Sequence, residues 1–210
     1  MPETLSITIS IIAIAISAVT AYLTLFRRGT VRMTLPTVIY FGPDGRSPQG
    51  RKSSAKVFFR TLLYATSKRG RIVESMFVRL RRGESSQNFS IWVYGNDSLS
   101  RGSGIFVGEN GVAWNHHFLL PADGTAYEFT PGEYLIEIFA TLVGSRHSLK
   151  LHEVRLLLDA HIAEQLKNSE NGLYFDWGPD SGRYHPHVRQ CPKDDFPPFL
   201  QKLMAEGDVS

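Results

Sequence analysis

The sequence predicts an antiparallel β-sandwich hung from one N-terminal transmembrane helix. Three observations lead there. Residues 5–26 carry no charge in 22 positions. The rest of the chain is a series of short apolar or alternating runs bounded by Gly, Pro, Asn and Asp, the pattern of strands joined by turns. Beyond the N-terminal run, only 159–168 reads as helical. The expected units are a helix over 5–26, a sandwich over 27–190 and a Pro-containing tail over 191–210.

The first element speaks most clearly. Leu5 to Phe26 reads LSITISIIAIAISAVTAYLTLF, with sixteen apolar residues, six of them Ile. As a helix rising about 1.5 Å per residue it reaches roughly 33 Å, enough to cross a bilayer's hydrocarbon core. Its Ser and Thr hydroxyls can return to carbonyls of the same helix. A secretory signal peptide is one rival, but MPET supplies no positive start and no small-residue cleavage site closes the run. A buried core helix is the other, and 22 uncharged residues exceed its usual length.

Arg27 and Arg28 follow the run at once, and no Lys or Arg precedes it. The positive-inside rule then puts the body on the cytoplasmic side of the cell's inner membrane. Membrane lipid is the first expected partner, met by Arg27 and Arg28. Ala13, Ser17 and Ala21 fall four apart on one helix face, where a second copy or a partner helix can approach. A single cysteine, Cys191, allows no intramolecular disulfide, in keeping with a reducing compartment.

Seven runs read as strands. Val31–Phe41 contains Pro36, which marks an edge or a bulge. Lys56–Thr66 follows, then Arg71–Arg82, where Met76, Val78 and Leu80 alternate with Phe77, Arg79 and Arg81. Asn88–Tyr94 sets Phe89, Ile91 and Val93 against Ser90, Trp92 and Tyr94. Gly111–Leu120 is next. Gly132–Val143 places Tyr134, Ile136, Ile138, Ala140 and Leu142 on one face, and Ser148–Leu158 closes the series. An eight-stranded barrel would satisfy the same alternation. Asp159 is suited to cap the short helix that follows. In the tail, Pro192, Pro197 and Pro198 exclude a regular strand, and Phe199, Leu200, Leu203 and Met204 suit one amphipathic turn.

The segment Pro131-Gly132-Glu133-Tyr134 resembles a strand entry common in immunoglobulin-like sandwiches. The resemblance covers four residues and implies an immunoglobulin-like arrangement of the strands.

A net charge of +3 hides a strong segregation. Residues 46–82 carry eleven Lys or Arg against one acid, Glu74, while 83–210 carry nine against seventeen. Three readings compete. The basic side chains pair across the sheet with acids of later strands; or the Gly45–Lys56 loop, with Arg27 and Arg28, presses on an anionic leaflet; or the cluster meets phosphates with Phe58, Phe59, Tyr64 and Phe77 as stacking groups. No nucleic-acid motif accompanies the charge, which leaves nucleic acid the least supported partner.

Histidine is the next candidate for chemistry. His185 and His187 project to one side of an extended chain, the geometry of a two-ligand metal arm. His116 or His117 could add a third ligand, and Asp176 or Asp180 a carboxylate. Hydrogen-bonded structural histidines explain the same residues. The loop from Asp176 to Tyr184 joins turn formers to Trp177, Arg183 and Tyr184, residue types enriched at binding hot spots. Gly102-Ser103-Gly104 with Gly108 has the wrong spacing for a phosphate cradle. No nucleophile elbow, zinc-protease helix or P-loop is present, and Cys191 has no local base.

These features together predict a non-catalytic interaction module without cofactor. It would recruit or sense a protein partner at the membrane through Arg71, Arg79, Arg81, Arg82, Trp177, Arg183 and Tyr184. The alternatives are a metal-dependent enzyme built on His185, His187 and His116, and a nucleic-acid or nucleotide sensor.

Overall fold

The alternation in the sequence becomes two antiparallel sheets that face each other across a shared core. The computed structural model describes residues 2–27, 29–44, 54–121, 127–167 and 171–190. Helix α1 (Pro2–Ala21) runs into a π-helical turn, Tyr22–Phe26. Then come β1 (Val31–Met33), β2 (Val38–Pro43), β3 (Ala55–Ala65), β4 (Arg71–Arg82), β5 (Ser85–Phe89), β6 (Ile91–Gly95) and β7 (Leu99–Arg101). They are followed by β8 (Ile105–Val107), β9 (Val112–Leu119), β10 (Gly132–Leu142), β11 (Leu149–Leu158), α2 (Ala160–Gln165), β12 (Asn171–Gly178) and β13 (Arg183–Gln190). One sheet has the order β13-β12-β2-β3-β9-β6-β7, with β1 also on β3. The other has the order β11-β10-β4-β5, with β8 also on β4.

The inward faces are those that strand alternation selects. Val57, Phe59 and Leu63 of β3 meet Val73, Met76, Val78 and Leu80 of β4 and Tyr134, Ile136, Ile138 and Ala140 of β10, all fully buried. Burying each large side chain contributes about 1.5–3 kcal/mol. The Tyr134 hydroxyl reaches the end of this core, donating to the Thr130 carbonyl at 2.7 Å and accepting from the Thr130 N–H at 2.9 Å. It thus satisfies both backbone groups of one loop residue, which would otherwise be costly to bury. Asp159 caps α2, its Oδ1 accepting from the Ile162 N–H at 2.8 Å.

Two predicted runs are divided in the fold. Val31–Phe41 breaks around Pro36, which has no N–H to give a ladder. Both halves still pair with β3, and the Thr34 hydroxyl bridges the gap by accepting from the Leu62 N–H at 3.1 Å. Asn88–Tyr94 breaks at Ser90, where the chain leaves one sheet for the other. The crossing turns the strand about its axis. Trp92 and Tyr94 therefore join Phe89 in the core, while Ile91 and Val93 lie half-buried on the outside.

Helix α1 is uncovered by the sandwich. Leu5, Ile7, Ile9, Ile11, Ile12, Ile14, Ile16 and Val19 are 53–69 % exposed. Four hydroxyls of the helical segment bond back to its own carbonyls: Thr8 donates to the Thr4 carbonyl at 2.8 Å, Ser10 to Ser6 at 3.0 Å, Ser17 to Ala13 at 2.8 Å and Thr24 to Thr20 at 2.8 Å. The helix is long and apolar enough to cross a membrane and, lying at the N-terminus, also has the form of a signal sequence.

After Arg27 the chain joins the sandwich almost at once. The Gly29 N–H donates to the Ser67 hydroxyl at 3.1 Å, and the Thr30 N–H to the Thr66 hydroxyl at 2.9 Å. The end of the sandwich carrying Ala65 and Arg71 is therefore the end next to the helix. Ala55 and Arg82 are at the remote end, about 33 Å away along β3 and β4 at roughly 3.3 Å per residue. Arg28 and residues 45–53 lie outside the described residues. The described ends of the Gly45–Lys56 loop, Asp44 and Ser54–Lys56, stand at the remote end. The loop expected against the bilayer beside Arg27 and Arg28 itself lies outside the described residues.

Candidate functional site

On one open side of the sandwich, the edge strand β11 of one sheet faces the β12–β13 hairpin of the other. Between them is a cleft of about 600 Å³. Leu35, Val154, Leu156, Phe175, Trp177, Tyr184 and Pro186 supply its apolar lining, and Glu153, Arg155, Asp159, Arg183 and His185 its polar groups. Trp177, Arg183 and Tyr184 were expected on a recognition loop. They stand instead on two paired strands, in register Trp177 to Tyr184 and Gly178 to Arg183. The actual turn is only Pro179–Gly182.

The hairpin holds its aromatic residues firmly. The Trp177 and Tyr184 rings meet edge to face at 5.1 Å. The Tyr184 hydroxyl donates to the Pro36 carbonyl at 2.6 Å, and the Trp177 N–H donates to the Thr37 carbonyl at 2.9 Å. Burial pushes the Tyr184 phenol well above its usual range, so it stays a neutral donor. The break at Pro36 thus has a structural use: the two carbonyls freed between β1 and β2 anchor the hairpin. At the tip, the Ser181 hydroxyl lies 2.8 Å from His185 Nε2 and 3.2 Å from the Gly178 carbonyl. A Ser–His contact has the shape of a nucleophile and its base. The carboxylate beside it, Asp176, is instead paired with His187 Nδ1 at 3.3 Å, and both Ser181 and His185 are exposed.

The histidines do not come together as a metal site. His185 and His187 do share the outer face of β13, with Asp176 opposite, as an extended chain requires. His187 stacks on Tyr174 with centroids 5.5 Å apart. His116 is in the interior four strands away, and its Nδ1 accepts from Trp92 Nε1–H at 3.1 Å. Burial lowers its pKa to about 4, so it is neutral. His117 points the other way, against Phe58. Burial first, then Lys56 and His116, lower its pKa to about 3. Among the described residues no group of three or more His, Cys, Asp or Glu is placed to hold a metal ion. His116 is therefore corrected from a candidate ligand to a core histidine.

The arginines are dispersed as well. Arg79 and Arg81 share the outer face of β4. Arg79 lies 3.9 Å from Glu137, donates to Asn88 Oδ1 at 3.3 Å and covers the Phe139 ring at 5.0 Å. Lys150 approaches Glu137 from the other side at 3.5 Å. This is the cross-strand pairing with later acids that the sequence offered as one reading of its charge. Arg82 turns to the sandwich's end and donates to the Pro131 carbonyl at 3.2 Å. Arg71 is at the opposite end of the same strand. Of the seven expected contact residues, only Trp177, Arg183 and Tyr184 form one site. The β11 wall was not foreseen; its only sequence signal is Glu153 and Arg155 alternating with Val154 and Leu156.

Comparison with known proteins adds little. No protein-family model and no curated protein matches the chain. Among solved structures, the CooA pilin subunit from enterotoxigenic Escherichia coli is similar over 62 % of this chain and 99 % of its own, at 15 % identity and a TM-score of 0.30. Nothing about binding or assembly follows from a likeness of that size.

Proposed function

We propose that the chain is a single-pass membrane protein whose sandwich acts, without catalysis, as an interaction module on the cytoplasmic face of the inner membrane. The carrying observation is α1: a long, predominantly apolar helix, uncovered by the sandwich, whose Thr8, Ser10 and Ser17 hydroxyls bond back to its own carbonyls. Such a helix is costly in water and at ease in lipid. Arg27 and Arg28 directly beyond it favour a cytoplasmic body.

The cleft is the proposed recognition site. Among the described residues strand β11 pairs only with β10, and an edge strand beside an apolar trough accepts an extended segment of another protein as an added strand. Trp177 and Tyr184 would take its apolar side chains, with Arg183, Arg155 and Glu153 at the rim. Ala13, Ser17 and Ala21 on α1 are the proposed contact for a partner helix or a second copy.

The test is site-specific photo-crosslinking in membranes of the native host. A crosslinker at Arg155 should give one discrete adduct, lost when Trp177→Ala and Arg183→Glu are combined. A crosslinker at Asn88, on the outer face of β5 at the far edge of the same sheet, should not give it. An adduct from both positions, unchanged in the double variant, would refute the cleft assignment.

A further inference from the structure

Outside the N-terminal helical segment, four large apolar side chains are strongly exposed among the described residues: Ile72, Phe106, Val143 and Leu157. Three of the four form one patch. Ile72 and Phe106 are direct partners on β4 and β8, and the Val143 N–H donates to the Ile72 carbonyl at 3.0 Å. They are 46 %, 62 % and 51 % exposed.

The patch continues from the point where α1 meets the sandwich. Gly29 is bonded to Ser67, which opens the turn into β4. The Ser67 carbonyl accepts from the Gly70 N–H at 3.1 Å, and the Phe106 ring lies over Gly70 so closely that a Cβ there would be 2.5 Å from it. Gly70 also has φ +69°, which no other residue takes as easily. The sequence therefore keeps this turn small and lays an aromatic ring across it toward solvent. Lys68, Arg69 and Arg71 are in or beside the turn, and Arg146 is in the loop after Val143. Glu74 and Glu109 are the nearby acids.

We infer that this rim is a second membrane contact: Phe106, Ile72 and Val143 enter the headgroup region of the bilayer that α1 crosses, while the surrounding cations meet anionic lipid. Apolar residues ringed by Lys and Arg are the chemistry of an interfacial anchor. The bilayer is the occupant favoured here because the helix leaves the sandwich at this same end. The contact would fix the tilt of the sandwich and hold the cleft at a set angle to the membrane. The inference rests on the membrane-spanning reading of α1.

The test uses the full chain with Cys191→Ser, reconstituted in vesicles of phosphatidylcholine and phosphatidylglycerol (3:1) containing spin-labelled lipid. Single cysteines at Phe106, Val143, Ile14 or Glu84 carry an environment-sensitive fluorophore. Glu84 is in the turn at the remote end of β4, roughly 36 Å away at about 3.3 Å per residue. Labels at 106 and 143 should be quenched at least twofold more than at 84. Combining Lys68→Glu, Arg69→Glu and Arg71→Glu should at least halve that quenching. Equal quenching at 106, 143 and 84, with Ile14 quenched, overturns the rim contact and leaves the anchor standing. An unquenched label at Ile14 overturns the anchor and the rim together. Disulfide crosslinks between copies at 106, without lipid quenching, assign the patch to a protein interface and overturn the inference.

Discussion

One buried histidine, His116, and one half-buried one, His117, should make the stability of this sandwich depend on pH, and the size of the effect can be worked out. Free histidine titrates near 6.5, whereas burial holds His116 at about 4 and His117 at about 3. The unfolded chain therefore takes up two protons that the folded chain refuses. Their contribution is complete above pH 6.5 and is lost as the pH falls toward the two folded values. Each refused proton costs about 1.4 kcal/mol per pH unit, so at pH 5 the loss is about 2 kcal/mol per histidine. For a body of this size, about 4 kcal/mol lowers the melting temperature by roughly 10 °C.

Tryptophan fluorescence reads this directly in detergent-solubilised full chain, because Trp92 donates to His116. His117→Phe keeps a ring against Phe58 and should remove about half of the drop between pH 7.5 and pH 5. His116→Phe should lower stability at every pH, since Trp92 Nε1–H loses its acceptor at a cost of about 1–3 kcal/mol. Equal melting temperatures at pH 7.5 and pH 5, or an unchanged pH slope in His117→Phe, would refute the reasoning.

Three further outcomes follow from the packing. Tyr134→Phe should cost about 1–3 kcal/mol in denaturant unfolding, because both backbone groups of Thr130 lose their partner; a variant as stable as the parent contradicts this. Gly172→Ala should cost about 1–3 kcal/mol by overpacking, its Cβ falling 2.3 Å from the Tyr40 ring; an unchanged midpoint would show that the ring shifts freely. Asp159→Ala should cost about 0.5–2 kcal/mol through loss of the α2 cap, and Asp159→Asn should restore most of it.

Much of the fold was legible because alternation is a local property. Arg71–Arg82 is one strand with the predicted bounds, and the five residues predicted inward on β10 are all buried. What alternation does not report is which sheet a strand joins. The sheet change at Ser90 therefore leaves no mark in the alternation, which sets Trp92 and Tyr94 opposite Phe89 although all three are buried. Strands β7 and β8 have three residues each, too few to show a period. The β12–β13 hairpin was obscured by Pro179, Gly182 and Pro186; the last is tolerated because β13 is an edge strand. The site was half visible. Trp177, Arg183 and Tyr184 stood out by residue type, but Leu35, Val154 and Leu156 reach them only through tertiary packing. The separation of Arg71 from Arg81 and Arg82 follows from the length of one strand, although the sequence sets them close together.

The proposed function requires the helix of residues 2–21 to cross a bilayer with the sandwich on the cytoplasmic side. A fluorescent protein that matures only in the cytoplasm, fused after Ser210 and followed through a high-pH wash of isolated membranes, tests both halves at once. Fluorescence that stays with the washed membranes is the predicted result. Fluorescence released into the wash, or a membrane-bound fusion that never becomes fluorescent, would contradict it.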